Sequence, residues 1–303
     1  MIRDIPNSAD FRNFGLRYLN LGWGMALEVL LHYSDAKDWG FDFEPDLEQG
    51  FWESADPEFA TALTLIEQGV EFLIKARIAE ISPWLLISRN PDSWPRRCDK
   101  EDVVFSLFRT LDAQDLLKVH DTISSNRLPE EFAIAFDDLR RKRNTMMHTV
   151  DLKLRASAVE IITNVLLSVD HLIGPKKWPE ERQVFLEVSR NSQISWNMAG
   201  YQLAREFSAT VALLKAGDLR RFFGFEKKQR AYFCPECSLA DRDAPVKCKT
   251  AQLKPNTPES TEIYCFVCRK TSQIERRACD SSECKGNVIC PDWDYCLTCH
   301  DFS

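Results

Sequence analysis

The sequence predicts a mostly α-helical protein that ends in a small, metal-stapled β-type module. Three observations carry that expectation. Apolar residues recur at helical spacing through most of the first 230 positions, with no convincing strand alternation among them. Ten of the eleven cysteines follow residue 233, most of them in close pairs. The composition, 44% hydrophobic and 28% charged over 303 residues, is that of an ordinary globular chain of about two domains.

The elements follow in order. Residues 8–36 read as a helix with Ser8 as cap, and Gly22-Trp23-Gly24 predicts a break or kink in it. Residues 37–55 are acidic and aromatic and predict a loop. A helix opens at Asp56-Pro57, buries Leu63, Ile66, Val70, Leu73, Ile74 and Ile81, and ends or bends at Pro83. Residues 89–101 hold two prolines and several charges, and predict a loop. A helical stretch near 102–124 carries Val104, Leu107, Phe108 and Leu111, with an interruption at Asp112-Ala113-Gln114-Asp115. The next helix starts at Pro129 and buries Phe132, Phe136 and Leu139. Residues 151–173 continue as helix through Val159, Ile162, Leu166 and Val169, and stop at Gly174-Pro175. A further helical region, 178–224, turns Trp196, Leu203, Phe207, Val211 and Leu214 inward. Short β-type runs such as Glu262-Ile263-Tyr264 appear only after Phe233. The expected divisions are an N-terminal helical extension (1–54), a helical bundle (55–175), an additional helical region (176–229) and a cysteine-rich domain (230–303).

Bulk charge narrows the function classes. A formal charge of −7 is not a general nucleic-acid-binding signature, so contact with RNA must come from a local patch such as Arg140-Arg141-Lys142-Arg143. No apolar run approaches a membrane span, and the first residues lack a secretory apolar core. The expectation is therefore a cytoplasmic protein with no membrane partner, in a reducing compartment where cysteines argue for metal rather than disulfides. Cys98, alone in a polar stretch, reads as a free thiol.

Cys234-x2-Cys237 and Cys265-x2-Cys268 are two knuckles of the zinc-ribbon type, and four thiolates form a closed tetrahedral site. Cys279-x4-Cys284 with Cys296-x2-Cys299 allows a second site, so two structural Zn2+ per chain are expected. Cys290 competes with Cys284, Cys248 has no evident partner, and His300 offers a nitrogen beside Cys299. Cys296-Leu297-Thr298-Cys299-His300 also spells a haem-attachment string, rejected because it lies among other cysteine pairs in a chain with no export signal. A site without an open position assigns the metal to folding and not to chemistry.

The helix that starts at Pro129 holds the anomaly. Its stripe Phe132, Phe136, Leu139 continues to position 143, then to Met146 and Val150, and position 143 is Arg. A guanidinium on a core-facing stripe is costly unless it is paired or opens into a polar cleft. His148 lies five residues on, about 140° around an ideal helix. Asn144 and His148 share a face.

Phe136-x-x-Leu139-Arg140-x-x-Arg143-Asn144-x-x-x-His148 resembles the signature of the HEPN superfamily, whose nuclease members carry Arg-x(4–6)-His. Glu71-Phe72-Leu73-Ile74-Lys75-Ala76-Arg77 looks like the family's first long helix, and the resemblance covers residues 55–175. It implies a HEPN-like bundle that cuts RNA without a metal, by 2′-OH attack to a 2′,3′-cyclic phosphate. His148 would move the proton and Arg143 would hold the phosphate. Asn144 would orient His148 or the phosphate, and Glu71, at a family acidic position, would pair with Arg143. One motif supplies one histidine, so a composite homodimer site would supply acid and base together. A toxin or anti-phage effector, with an antitoxin or regulatory protein as partner, fits the same resemblance. The alternative is a non-catalytic HEPN and zinc-ribbon module that binds nucleic acid or protein, with Arg143 as a structural ion-pair residue.

Overall fold

The structure, a computed structural model, describes residues 1–88, 90–148, 155–189, 198–238 and 249–300. These are mostly helical, with short strands concentrated in the C-terminal part, as the sequence predicts. The chain divides into two units, one of residues 1–29 with 36–174 and one of residues 30–35 with 175–303.

The first unit is built on α3 (Asp56–Ile81), which packs against α4 (Ala113–Ile123), α5 (Glu130–His148) and α6 (Ala158–Leu172). Leu63, Ile66, Val70, Leu73 and Ile74 are buried along α3 as predicted. Ile81, in the last turn, is 53% exposed and not part of that face.

The first helix, α1 (Ser8–Asp38), runs unbroken past Gly22 and Gly24, so the break allowed by the sequence is absent. A Cβ on Gly22 would lie 2.9 Å from the carbonyl oxygen of Ala62, and one on Gly15 equally close to that of Gly69. The glycines therefore let two helix backbones touch, and that packing offsets their propensity cost of about 1 kcal/mol each. The cap is also displaced by one residue. Asn7 and Asp10 satisfy each other's backbone N–H groups at 3.0 and 2.9 Å, a reciprocal box in which Ser8 takes no part.

Three other expectations change. Residues 37–55 are not all loop: α2 (Pro45–Ser54) opens on a proline and carries Asp46 and Glu48 in its first turn. It has no buried residue, so no stripe marked it. The expected helix near 102–124 begins only at Ala113. Before it, β2 (Val103–Val104) pairs in parallel with β1 (Ile2–Arg3), and Phe105–Leu107 is a 3-10 turn that buries Phe105 and exposes Leu107. The helix expected from 151 starts at Ala158, where the Ser157 hydroxyl accepts from the Glu160 N–H, and its Val159 faces out. Val150, with the rest of residues 149–154, lies outside the described residues, as does Trp196.

The second unit combines α7 (Trp178–Glu187), α8 (Met198–Leu213) and α9 (Ala216–Phe223) with the cysteine-rich part. Arg182 of α7 donates to both carboxylate oxygens of Glu206 on α8 at 2.8 and 2.7 Å, a fully buried bidentate pair. After the single turn α10 (Pro235–Ser238), β3 (Ala251–Leu253), β4 (Glu262–Cys265) and β5 (Thr271–Gln273) form an antiparallel sheet, and β6 (Ile289–Cys290) pairs with β7 (Tyr295–Cys296). Phe266, one residue past a cysteine, packs on Phe207, Phe223 and Phe225 with centroids 5.1–5.9 Å apart. A boundary near residue 230 therefore cuts through one aromatic core.

Candidate functional site

Burial of Phe132, Phe136 and Leu139 against the bundle fixes the rotation of α5 and carries Arg143 to the rim of a cleft of about 380 Å³. The Arg143 side chain is 32% exposed. Its Nε lies 3.8 Å from Oε2 of Glu67, buried from solvent and without a hydrogen bond, and its Nη1 donates to Asn144 Oδ1 at 2.9 Å. Asn144 thus orients the guanidinium. His148 is the last residue of α5, and its side chain lies outside the described residues.

Glu67 is the residue that sequence reasoning missed. It sits on the apolar stripe of α3 and is only 4% exposed. Burial first, then the neighbouring Glu71 charge, raise its pKa above the usual carboxylate range, while Arg143, Arg140 and Lys75 pull it back. The expected pair of Glu71 with Arg143 is corrected. Glu71 accepts from Lys75 at 2.6 Å, one helical turn away, and Lys75 donates onward to Thr110 Oγ1 at 3.2 Å. The order along α3, Glu67 then Glu71 then Lys75, leaves Glu67 as the carboxylate of α3 that reaches Arg143.

The basic run beside the motif is largely spent on local partners. Arg140 pairs with Asp137 at 3.4 Å, Arg141 with Asp138, and Lys142 with Glu160 at 2.5 Å. Arg140 and Arg143 are its two members that line the cleft, with Arg109 and Asp112 opposite. The result is a cation with an inward carboxyl beside it, an arrangement that can bind an anion and retain or release a proton near it.

Because Glu67 has a raised pKa, ionising it costs stability. That cost is absent below the unfolded carboxyl value near 4.3, grows as pH rises toward the folded value, and is complete above it. The stability of Glu67→Gln relative to the parent should therefore increase across that window and then level off, as read by chemical denaturation at several pH values. A pH-independent difference would show that Glu67 does not titrate there.

The cysteines form two groups, Cys234, Cys237, Cys265 and Cys268, and Cys279, Cys284, Cys296 and Cys299, each with its sulfurs within 4.8 Å of one another. Sulfur separations of 3.6 and 3.9 Å in the first and 3.7 and 3.9 Å in the second match the edge of a tetrahedron of four sulfurs about 2.3 Å from a shared metal, about 3.8 Å. Backbone N–H groups support the sulfurs: Lys270 to Cys268, Gly286 to Cys284 at 3.3 Å and Thr298 to Cys296 at 3.4 Å. Arg269 and His300, each directly after a knuckle, take left-handed backbone with φ of 61° and 70°. Gly286 has no alternative, because a Cβ there would lie 2.9 Å from Cys296 Sγ. Each group can hold a metal ion. Cys290 is buried outside both groups, so Cys284 is the fourth member of the second. His300 packs its ring on Phe233 and Tyr295, also outside both groups. Cys248 lies outside the described residues.

Compared with known proteins, the chain matches no family model, no curated protein and no solved structure. Among the described residues no helix is long and apolar enough to cross a membrane.

Proposed function

We propose that the protein is an endoribonuclease whose cleft at Arg143 binds the scissile phosphate, with zinc in both cysteine groups serving the fold. The observation that carries this reading is Arg143 itself: a guanidinium on an apolar stripe, at an open cleft, oriented by Asn144 and backed by buried Glu67. In the reaction a base takes the 2′-OH proton, O2′ bonds to phosphorus, the P–O5′ bond breaks, and an acid protonates O5′. The products are a 2′,3′-cyclic phosphate and a 5′-hydroxyl. Arg143 balances the phosphorane charge, and His148 carries the proton. Glu67 is a positioning residue that holds Arg143 through charge. HEPN-type chemistry, with a toxin or anti-phage role, is the biological setting this reading favours.

Incubation with RNA in buffer free of added divalent ions, followed by end-group mapping, tests it. Fragments with 3′-phosphorylated and 5′-hydroxyl ends are expected, and 5′-phosphate ends would exclude the route.

A composite site needs two copies of the motif. Sedimentation should give a homodimer, and a mixture of Arg143→Ala and His148→Ala protomers should stay inactive, because a mixed dimer leaves the composite site with a single histidine. A strict monomer that still cleaves would remove the dimer from the mechanism. The second reading, a non-catalytic module, draws on the Glu67–Arg143 pair as a structural contact within one chain. It expects no cleavage of any RNA and a loss of thermal stability in Arg143→Ala.

A further inference from the structure

The second unit holds a separate cleft of about 360 Å³ on the face of its three-stranded sheet. Gln252 of β3 stands directly across from Tyr264 of β4, so the two side chains share that face. The Gln252 amide is used internally: it donates to the Glu226 carbonyl at 2.8 Å and accepts from the Glu226 N–H at 3.0 Å, fixing the segment that walls one side. Phe223, Phe225 and Phe266 make a buried floor.

The charges in this cleft are unbalanced. Among the described residues its one carboxylate is Glu226, gripped by Arg220 through both oxygens, at 2.6 and 2.8 Å. Lys176 and Lys254 line the same cleft, and neither has a carboxylate partner among the described residues. Lys254 Nζ lies 4.7 Å from the Tyr264 ring centroid. Lys176, held in left-handed backbone at φ 59°, brings its Nζ against Gly224, where a Cβ would sit only 3.1 Å away. In a chain of net charge −7, two ammonium groups without a carboxylate partner among the described residues, beside a tyrosine and an apolar floor, suit an anion joined to a planar ring. The amide side chains of Gln229 and Asn256 also line the cleft, with donors and acceptors for the edge of such a ring.

We propose that this cleft binds one nucleotide of a single-stranded RNA, with its phosphate at Lys176 and Lys254 and its base beside Tyr264. Only the choice of RNA as the strand rests on the endonuclease reading. The test therefore uses a fluorescein-labelled 2′-O-methyl hexaribonucleotide, which has no free 2′-OH and cannot be cut by the proposed route. Binding to the full-length protein is followed by anisotropy over a range of salt. Two lysines on a single strand should give a slope of log affinity against log salt of about −1.4. Lys176→Ala and Lys254→Ala should each flatten it by about 0.7. Tyr264→Leu should weaken binding by about five- to a hundredfold and leave the slope unchanged. Free AMP that competes at the same concentration as the strand would locate recognition in the nucleotide alone, whereas AMP far weaker than the strand would locate it in a longer track; both outcomes support the cleft. Inorganic phosphate competing as well as AMP would reduce it to a plain anion site and overturn the proposal. So would lysine variants that bind with the parent's affinity and salt slope.

Discussion

Arg143→Ala and His148→Ala are each expected to lower RNA cleavage by about a hundred- to a thousandfold or more while the fold survives. For Arg143 the loss is of charge and of shape. Its fork can hold two phosphate oxygens at once, so Arg143→Lys, which keeps the charge as a single point, should recover only a small part of the rate. The fold survives because Glu67 has an alternative. With its cation removed, the burial that already raises its pKa acts with less opposition, so the carboxyl takes up a proton at a higher pH than in the parent. Circular dichroism of Arg143→Ala should therefore match the parent most closely at acid pH, with any deficit growing as pH rises. Single-turnover rates on a short RNA read the catalytic effect. Full activity in His148→Ala would remove that residue from the mechanism, and full activity in Arg143→Ala would sink the endonuclease reading as a whole.

Much of this cleft was legible before the structure, and the part that was not has a simple cause. Arg143 stood out because it is a charge on the stripe of Phe132, Phe136 and Leu139. Glu67 stands on the stripe of α3 in the same way, between Leu63 and Val70, and the two helices bring the anomalies together. Applied to α3 as it was to α5, the same test marks Glu67. Glu71 drew attention instead because of its place in a familiar pattern, yet Lys75 one turn on had already claimed it. The misplaced secondary structure has related origins. Periodicity reports burial against a partner, so α2, which buries nothing, left no stripe. Phe108 and Leu111 are buried from an irregular backbone and, with Val104 and Leu107, imitated one. Gly22 read as a breaker because its use, contact with α3, depends on a helix distant in sequence. The first cysteine group was legible from its two knuckles, whereas spacing alone left Cys290 competing with Cys284 for the second until the structure set Cys290 apart.

Metal removal should have the largest effect on stability, and it should reach beyond the cysteines. Apparent binding free energies of structural zinc in zinc-finger peptides are about 10–16 kcal/mol, as large as the whole stability of an ordinary domain. Metal analysis should return two zinc ions per chain. Cys265→Ser or strong chelation should empty the first group, while Cys290→Ser, outside both groups, should keep the full complement. If the tail were a self-contained module, only residues after about 230 would unfold. Phe266 argues otherwise, because it lies between Cys265 and Cys268 and its ring packs on Phe207, Phe223 and Phe225. Releasing the knuckle frees Phe266, and α8 and α9 lose the ring that covers them. Chelation should thus remove helical as well as strand signal, and limited proteolysis should open sites from about residue 198 onward. The bundle around α3 has its own core and no member of either cysteine group, and should remain protected. For the same reason a chain cut after Lys228 should aggregate through those exposed rings, whereas the metal-loaded full chain should not. Helical signal unchanged by complete metal loss would show that the aromatic core holds without its knuckle. One zinc per chain would retire the site formed by Cys279, Cys284, Cys296 and Cys299.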